Sequence, residues 1–577
     1  MHNSKSIVLR GIAASPGIAI GKAFIYEKIS VNFENLTEVA ENIEAEIERF
    51  KNAVKRAEKE LLSILEDLEK ENAEILEVQK LILKDPAFTD EIVNLIMKGK
   101  RAEFAVKNVV EKWVKKFEEM ENEYMKERAI DIVDIGERIL RLLLGVQALR
   151  LSDLKEKSII IARYLTPSDT AYIKKEFVLG IATDSGGPIS HAAIIARSLG
   201  IPAVVGLKNA TQIVKQNDTL IVDGNRGILI VNPDNKTLNK YREEECRFAV
   251  RKEEVIKKYL TLPAETIDGR KVKIAANVNS IGDAYLACEY GAEAVGLLRI
   301  EFLFINKSKE PSEDDIFNAI KKVLELMKGK PVIVRTLDIG GDKPLPYINM
   351  PKENNPFLGW RGIRLCLDVE ELLKKQFRAF LRASVHGDLK IMYPFVSSIE
   401  EVKLANRILE EVKRELKEEN KHFNENIEIG VMIETPSAAL IADKLAREVD
   451  FFSIGTNDLS QYVLAADRTN ERVSKLCDHA HPAVLRLMKN VIEAAHKENL
   501  HVGVCGESSS DIDMVPILIG MGVDELSMIP LFIPSSKRII RSIRFEDARK
   551  LVDEVLDLAT AEEVRACSKK FLEKAIK

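Results

Sequence analysis

The chain of 577 residues has only two tryptophans and six cysteines, and it lacks any apolar run near the ~20 residues that a membrane span requires. The cysteines, at 246, 288, 366, 477, 505 and 567, form no closely spaced pairs, which argues against a disulfide framework and against a cysteine zinc site. Excess positive charge is also absent. Eighty-six basic and 91 acidic side chains leave a net charge of −5, too little for sequence-independent wrapping of nucleic acid. The first 17 residues carry a short apolar stretch broken by Arg10 and Pro16, so neither a leader nor membrane insertion is expected and a cytoplasmic location is. What is present is an ordinary globular balance, 46% hydrophobic and 31% charged, with length for about three or four domains.

Four textures follow one another, and together they predict a multidomain α/β protein. Residues 1–34 are β-rich and punctuated by Pro16-Gly17, and 145–232 return to strand–helix alternation through SIIIAR, EFVLGIATD, SHAAIIARSLG, PAVVG and DTLIVDG. These two stretches are expected to form one α/β domain, with 35–144 inserted into it. The insertion is helical: Val39, Ile43, Ile47, Phe50, Val54, Ala57, Leu61, Ile64 and Leu68 recur every three or four residues, and Asp85-Pro86 should cap and start a later helix. A helical bundle is the simplest packing, and a coiled-coil strut or a docking platform for another protein stays open. Residues 233–261 are strongly charged with helical spacing and are expected to be a linker helix.

From 262 to 577 eight short apolar runs alternate with helical stretches, at 271–278, 294–300, 332–338, 389–396, 428–434, 451–458, 501–507 and 525–529. Near-continuous apolar strands alternating with helices predict a parallel (β/α)8 barrel. Polar residues gather at the carboxyl ends of these runs: Asn277, Arg299, Arg335, Glu434, Asn457, Asp458, Cys505 and Glu507. That end of a barrel carries its active site. Arg299, Arg335, Arg361 and Arg468 suit bidentate capture of phosphate and carboxylate, so the expected ligand is a small polyanion. Glu434 and Asp458 are hard oxygen ligands of the kind that hold Mg2+ beside anionic oxygens; ion pairing with the arginines alone is the alternative. The Cys505 thiol is either a proton donor facing the ligand or a small buried apolar group. The Gly- and Pro-rich stretch 339–369 reads as a long functional loop. Cys477, His479 and His481 lack the spacing of a metal site.

In 184–197, DSGGPISHAAIIAR, a Gly-rich turn precedes a helix, with Ser190 at the N-cap and His191 at the first helical position. The positive end of the helix dipole disfavours imidazolium and favours an added phosphate, which suits a histidine nucleophile. An incidental histidine on a capped core helix is the bland alternative.

GGPISHAAIIARSLGIPAVVG resembles the phosphohistidine signature of phosphoenolpyruvate-utilising enzymes. GLLRIEFLF, IVRTLDIGGDKPLPYINMPKENNPFLGWRGIR, GVMIETPSA and DFFSIGTNDLSQYVLAADR closely resemble the Enzyme I family of the bacterial sugar phosphotransferase system, essentially end to end. The resemblance implies that His191 takes a phosphoryl group from phosphoenolpyruvate and hands it to the phosphocarrier HPr, docked on the helical insertion. It implies Mg2+ on Glu434 and Asp458, and substrate contacts from Arg299, Arg335, Lys343, Arg361, Asn457, Asp458 and Arg468. Cys505 would protonate the enol carbon, and the barrel would form the homodimer. The α/β lobe would swing between barrel and carrier. Pyruvate phosphate dikinase and phosphoenolpyruvate synthase share the histidine and barrel but carry an ATP-grasp module, of which no counterpart is visible. Departures from the family pattern are Pro188-Ile189 before Ser-His, Ile300 after the barrel arginine, and Ser508-Ser509-Ser510 after Cys-Gly-Glu. They motivate a competing reading, a regulatory relative that senses phosphoenolpyruvate or binds a carrier without efficient turnover.

Overall fold

The computed structural model describes residues 6–26, 38–67, 82–83, 85–118, 123–145, 151, 154, 156–165, 169, 175–187, 190–305, 307, 309–341, 345, 347–351, 353–468, 470 and 473–576. They divide into two compact units, 1–250 and 251–577.

In the first unit an eight-stranded sheet runs β1 (Ile7–Arg10), β8 (Ile228–Val231), β7 (Thr219–Asp223), β3 (Ile18–Tyr26), β4 (Ser158–Ala162), β5 (Val178–Thr183), β6 (Ala203–Val205) and β2 (Ile12–Ser15). The opening strands therefore join the later α/β stretch, as the sequence pattern predicts. β3, β4, β5 and β6 are parallel, whereas β1, β7, β8 and β2 pair antiparallel. β4 is Ser-Ile-Ile-Ile-Ala, buried at every position, because a central parallel strand is covered on both faces.

Between β3 and β4 lie helices α1 (Ile43–Asp67), α2 (Pro86–Met97), α3 (Ala102–Glu118) and α4 (Glu123–Leu144). Their shared core contains Phe50, Ala57, Leu61, Phe88, Ile92, Val106 and Ile135. Asp85 caps α2 by accepting from the Ala87 amide at 2.8 Å, with Pro86 at the first position where no N–H is needed. Val39, expected in the first helix, instead pairs with Lys100 in an isolated bridge before α1 begins, and Leu68 lies outside the described residues.

The second unit is a closed barrel of eight parallel strands in sequence order: β9 (Lys273–Val278), β10 (Ala294–Leu298), β11 (Val332–Arg335), β12 (Leu389–Tyr393), β13 (Ile429–Ile433), β14 (Phe451–Ile454), β15 (His501–Val504) and β16 (Glu525–Met528). All eight apolar runs supply a strand. A helix of 25 residues, Asn235–Tyr259, spans the division between the units in sequence. The stretch 339–369 is less irregular than its composition predicts. It contains a short turn at Pro356–Leu358 and a helix at Ile363–Asp368, whose Ile363, Leu365 and Cys366 are buried. Burial of that apolar triplet outweighs the breaker residues around it.

Candidate active site

The carboxyl ends of β10 to β15 bring together nearly all the charged residues singled out above. Arg335 is the last residue of β11 and is buried. Its guanidinium donates to Glu301 Oε1 at 2.6 Å and lies 3.2 Å from Asp338 Oδ2. Asp338 in turn accepts from Arg361 at 2.9 Å, and Arg361 Nη1 reaches Asp458 Oδ1 at 3.4 Å and Tyr462 Oη at 3.1 Å. Arg468 Nη2 closes the chain on Asp458 Oδ2 at 3.4 Å. Burial alone would lower the pKa of Arg335 and Arg361, but Glu301 and Asp338 beside the first, and Asp338 and Asp458 beside the second, more than offset it, so both stay charged.

Local backbone explains how Arg361 reaches the mouth. Gly340, at φ +115°, pairs with Arg361 in an isolated bridge, and a Cβ there would lie 2.2 Å from the Trp360 carbonyl oxygen. Only glycine permits this approach. Arg299 follows β10, is half-buried, and donates to Asn279 Oδ1 at 2.6 Å. Burial and the neighbouring Arg335 charge lower its pKa. Lys343 lies outside the described residues.

Glu434, just past β13, is 1% exposed and accepts from the Phe395 amide at 2.7 Å. Its carboxyl is pushed up to about 8 by burial and by the charges of Asp458 and Asp338. Asn457 accepts from the Glu507 amide at 2.8 Å, so its carbonyl oxygen is committed to the turn after β15 and its amide nitrogen is the group left to meet a ligand. Cys505, the first residue after β15, is buried among Leu297, Ile333, Met392, Met432 and Phe451. Burial pushes its thiol up to about 11, so it keeps its proton at neutral pH. Asn277 donates to the Cys505 carbonyl at 3.0 Å and accepts from Ser527 at 2.7 Å, pinning this turn to the barrel wall.

Glu301, Asp338, Phe395 and Tyr462 belong to this site and were not singled out by the sequence pattern. Glu301 and Asp338 sit two and three residues past barrel arginines, a spacing that could have marked them as partners. The serine run is accommodated by hydroxyl bonds: Ser508 to Thr456 at 2.9 Å, Ser509 to the Val504 carbonyl at 2.8 Å, and the Ile529 amide to Ser510 at 3.2 Å. Cys477, His479 and His481 take three separate partners, the Ala466 carbonyl, Asp511 and the Ala483 amide, and among the described residues no group of three or more His, Cys, Asp or Glu forms a metal cluster.

In the first unit His191 begins the helix His191–Leu199, as expected; its side chain lies outside the described residues. Ser190 holds the N-cap position, but its hydroxyl does not cap the helix. It donates instead to the Gly187 carbonyl at 2.8 Å, because that acceptor lies within the turn itself. Thr183 donates to the Ser185 carbonyl at 2.8 Å, and Asp184 accepts from the Ala210 amide at 2.5 Å, so the start of the turn leading to His191 is anchored.

Three family matches cover the chain in sequence: the N-terminal domain of PEP-utilising enzymes over 10–128, their mobile domain over 154–227 and their PEP-binding domain over 253–545. The phosphoenolpyruvate-protein phosphotransferase of Priestia megaterium is 46% identical over 559 residues, 96% of this chain and 97% of that protein. That of Bacillus subtilis (strain 168) is 50% identical over 465 residues, 81% of each chain. That of Geobacillus stearothermophilus is 49% identical over 463 residues, 80% of each. The chain belongs to the phosphoenolpyruvate-protein phosphotransferase family. Phosphoryl transfer from phosphoenolpyruvate by way of a mobile-domain histidine is the activity of that family, and the barrel is its phosphoenolpyruvate-binding domain.

The donor set at the mouth fits a divalent cation in this family's reaction. Arg335, Arg361 and Arg468 are paired with Glu301, Asp338 and Asp458, so most of the arginine charge is already balanced before a substrate arrives. A phosphate and a carboxylate entering together would leave that balance strongly negative. Burial first, and the charges of Asp458 and Asp338 after it, raise the Glu434 pKa, and a hard cation held by Glu434 and Asp458 would favour the ionised carboxylate.

Proposed function

We propose that this protein phosphorylates itself on His191 at the expense of phosphoenolpyruvate and passes the phosphoryl group to a histidine of HPr, the first step of sugar phosphotransferase transport. The observation that carries the reading is the buried chain Glu301, Arg335, Asp338, Arg361, Asp458, which holds two guanidinium forks rigidly charged at a barrel mouth. A buried ion chain of this kind is poor value for stability, and preorganised cations are what phosphoryl transfer needs. His191 is the single histidine within 154–227, the stretch matching the mobile domain.

In this reading Arg299, Arg335, Arg361, Arg468, Asn457 and Lys343 bind the phosphate and carboxylate. His191 Nε2 attacks phosphorus in line, its N–P bond forming as the bridging P–O bond breaks to release enolpyruvate. Cys505 donates its thiol proton to the enol carbon, giving pyruvate. Glu434 and Asp458 would hold Mg2+, which when bound supplies further neutralisation of the phosphoryl oxygens. Residues 1–34 with 145–232 form the phosphohistidine domain, 35–144 the HPr platform, 233–261 the linker and 262–577 the barrel through which the protein dimerises in the cytoplasm.

The test is incubation of the full chain and of His191→Ala with radiolabelled phosphoenolpyruvate and Mg2+, followed by addition of HPr. Acid-labile, base-stable label on the parent, absent from the variant, chased onto HPr and abolished by EDTA, is expected. Binding of phosphoenolpyruvate with no label on the parent would favour the sensing relative.

A further inference from the structure

Phe395, two residues beyond the end of β12, has a backbone φ of +58°, a region disfavoured for any residue carrying a Cβ, yet it is 2% exposed and well embedded. Three separate connections converge on it. Its amide donates to Glu434 Oε1 at 2.7 Å. Its ring lies under two guanidinium groups, with Arg361 Cζ 4.5 Å and Arg364 Cζ 4.7 Å from the centroid. The Tyr462 ring packs against it at 5.7 Å, and the Tyr462 hydroxyl is 3.1 Å from Arg361 Nη1. Gly362, at φ +57°, makes room: a Cβ there would lie 2.7 Å from the Phe395 Cβ.

We infer that Phe395 is a positioning residue for phosphoenolpyruvate capture, its ring orienting the Arg361 guanidinium and its left-handed backbone aiming one N–H at Glu434. The inference rests on the proposed reading of Arg361 and Glu434 as substrate and metal ligands. Arg361 is held edge-on by Asp338 and Asp458, and the ring face against its plane leaves one orientation in which it can meet an anion. Arg364 covers the ring while its own donors are taken by the Leu358 and Gly359 carbonyls and by Ser397, so it acts as packing for the platform. The two roles are separable. The ring role depends on the aromatic quadrupole, and the backbone role depends only on φ.

Two sets of variants of the full chain test this. In the first, position 395 carries phenylalanine with increasing ring fluorination, introduced by suppression, which drains the quadrupole while keeping the ring shape. The dissociation constant for phosphoenolpyruvate with Mg2+, measured by calorimetry, should weaken stepwise by about tenfold in all, with the thermal midpoint unchanged. In the second, Phe395→Gly keeps the N–H and relieves the φ. It should weaken phosphoenolpyruvate binding at least as much while leaving the affinity for Mn2+ alone within about twofold. A flat series across the fluorinated rings overturns the inference, as does loss of Mn2+ affinity in Phe395→Gly. If the parent binds phosphoenolpyruvate but never phosphorylates His191, the functional reading falls and the series still decides the role of Phe395. If the parent does not bind phosphoenolpyruvate, both fall.

Discussion

Asp338 bridges Arg335 and Arg361, and both pairs are buried. Asp338→Asn should destabilise the barrel by about 3 kcal/mol, because breaking a buried pair strands the remaining charges, and should raise KM for phosphoenolpyruvate; urea unfolding and steady-state kinetics check the two effects. Cys505 carries the clearest pH statement. Its thiol sits at about 11 against an ordinary 9, so the folded chain keeps a proton that the unfolded chain releases. The stability this contributes is fully present below pH 9 and is lost as pH climbs through 11. The thiol should accordingly react with iodoacetamide at pH 8.5 far more slowly than exposed Cys288. Cys505→Ala should slow pyruvate formation by about 10² to 10⁴ while leaving phosphoenolpyruvate binding intact, as rapid-quench assays would show. Arg299 and Arg335 were legible in the sequence because they end apolar runs, whereas Arg361 and Arg468 lie in connections outside those runs. Glu301, Tyr462 and Phe395 were not legible, because their roles depend on partners far along the chain and, for Phe395, on a backbone angle that residue type does not announce; Asp338 carried a local signal, three residues past Arg335.

At the scale of elements, the eight barrel strands could be read directly because burial on both faces demands unbroken apolar runs, a signal that survives without knowledge of partners. The helix at Ile363–Asp368 was hidden by the glycines and prolines around it, and the side-chain cap expected of Ser190 is not made because its hydroxyl donates to an acceptor inside its own turn. The C-terminal helix Ala561–Ala575 is tied to the barrel loops by Arg565, which pairs with Asp478 at 2.7 Å and Asp511 at 2.6 Å. Burial would raise the Asp511 pKa, but His479 and Arg565 overcome it and hold the carboxyl at about 2. The stability this adds is present above pH ~4 and is lost as pH falls toward 2. Arg565→Met should flatten that acid limb and lower the thermal midpoint, both visible by circular dichroism. A tighter constraint lies at Gly506, where a Cβ would fall 1.8 Å from Thr456 Oγ1. Gly506→Ala should displace the Cys505 turn and reduce transfer more than it reduces phosphoenolpyruvate binding.

For the whole molecule, the histidine proposed to accept the phosphoryl group and the arginines proposed to bind phosphate belong to different compact units, joined in sequence through a single 25-residue helix. Chemistry between them requires that one be presented to the other, and delivery to HPr requires that it leave again. Locking the 154–227 stretch to the barrel by an engineered crosslink, made with phosphoenolpyruvate bound, should allow one round of self-phosphorylation and stop HPr turnover. The order of the domains was legible because each has its own texture, whereas the meeting of two distant sites leaves no mark on local pattern. The most direct measurement is the position of the phosphoryl group after reaction with phosphoenolpyruvate and Mg2+, mapped by tandem mass spectrometry under alkaline conditions. One phosphorylated residue, His191, is the predicted result; phosphate on any residue of 251–577, or none at all, would contradict it.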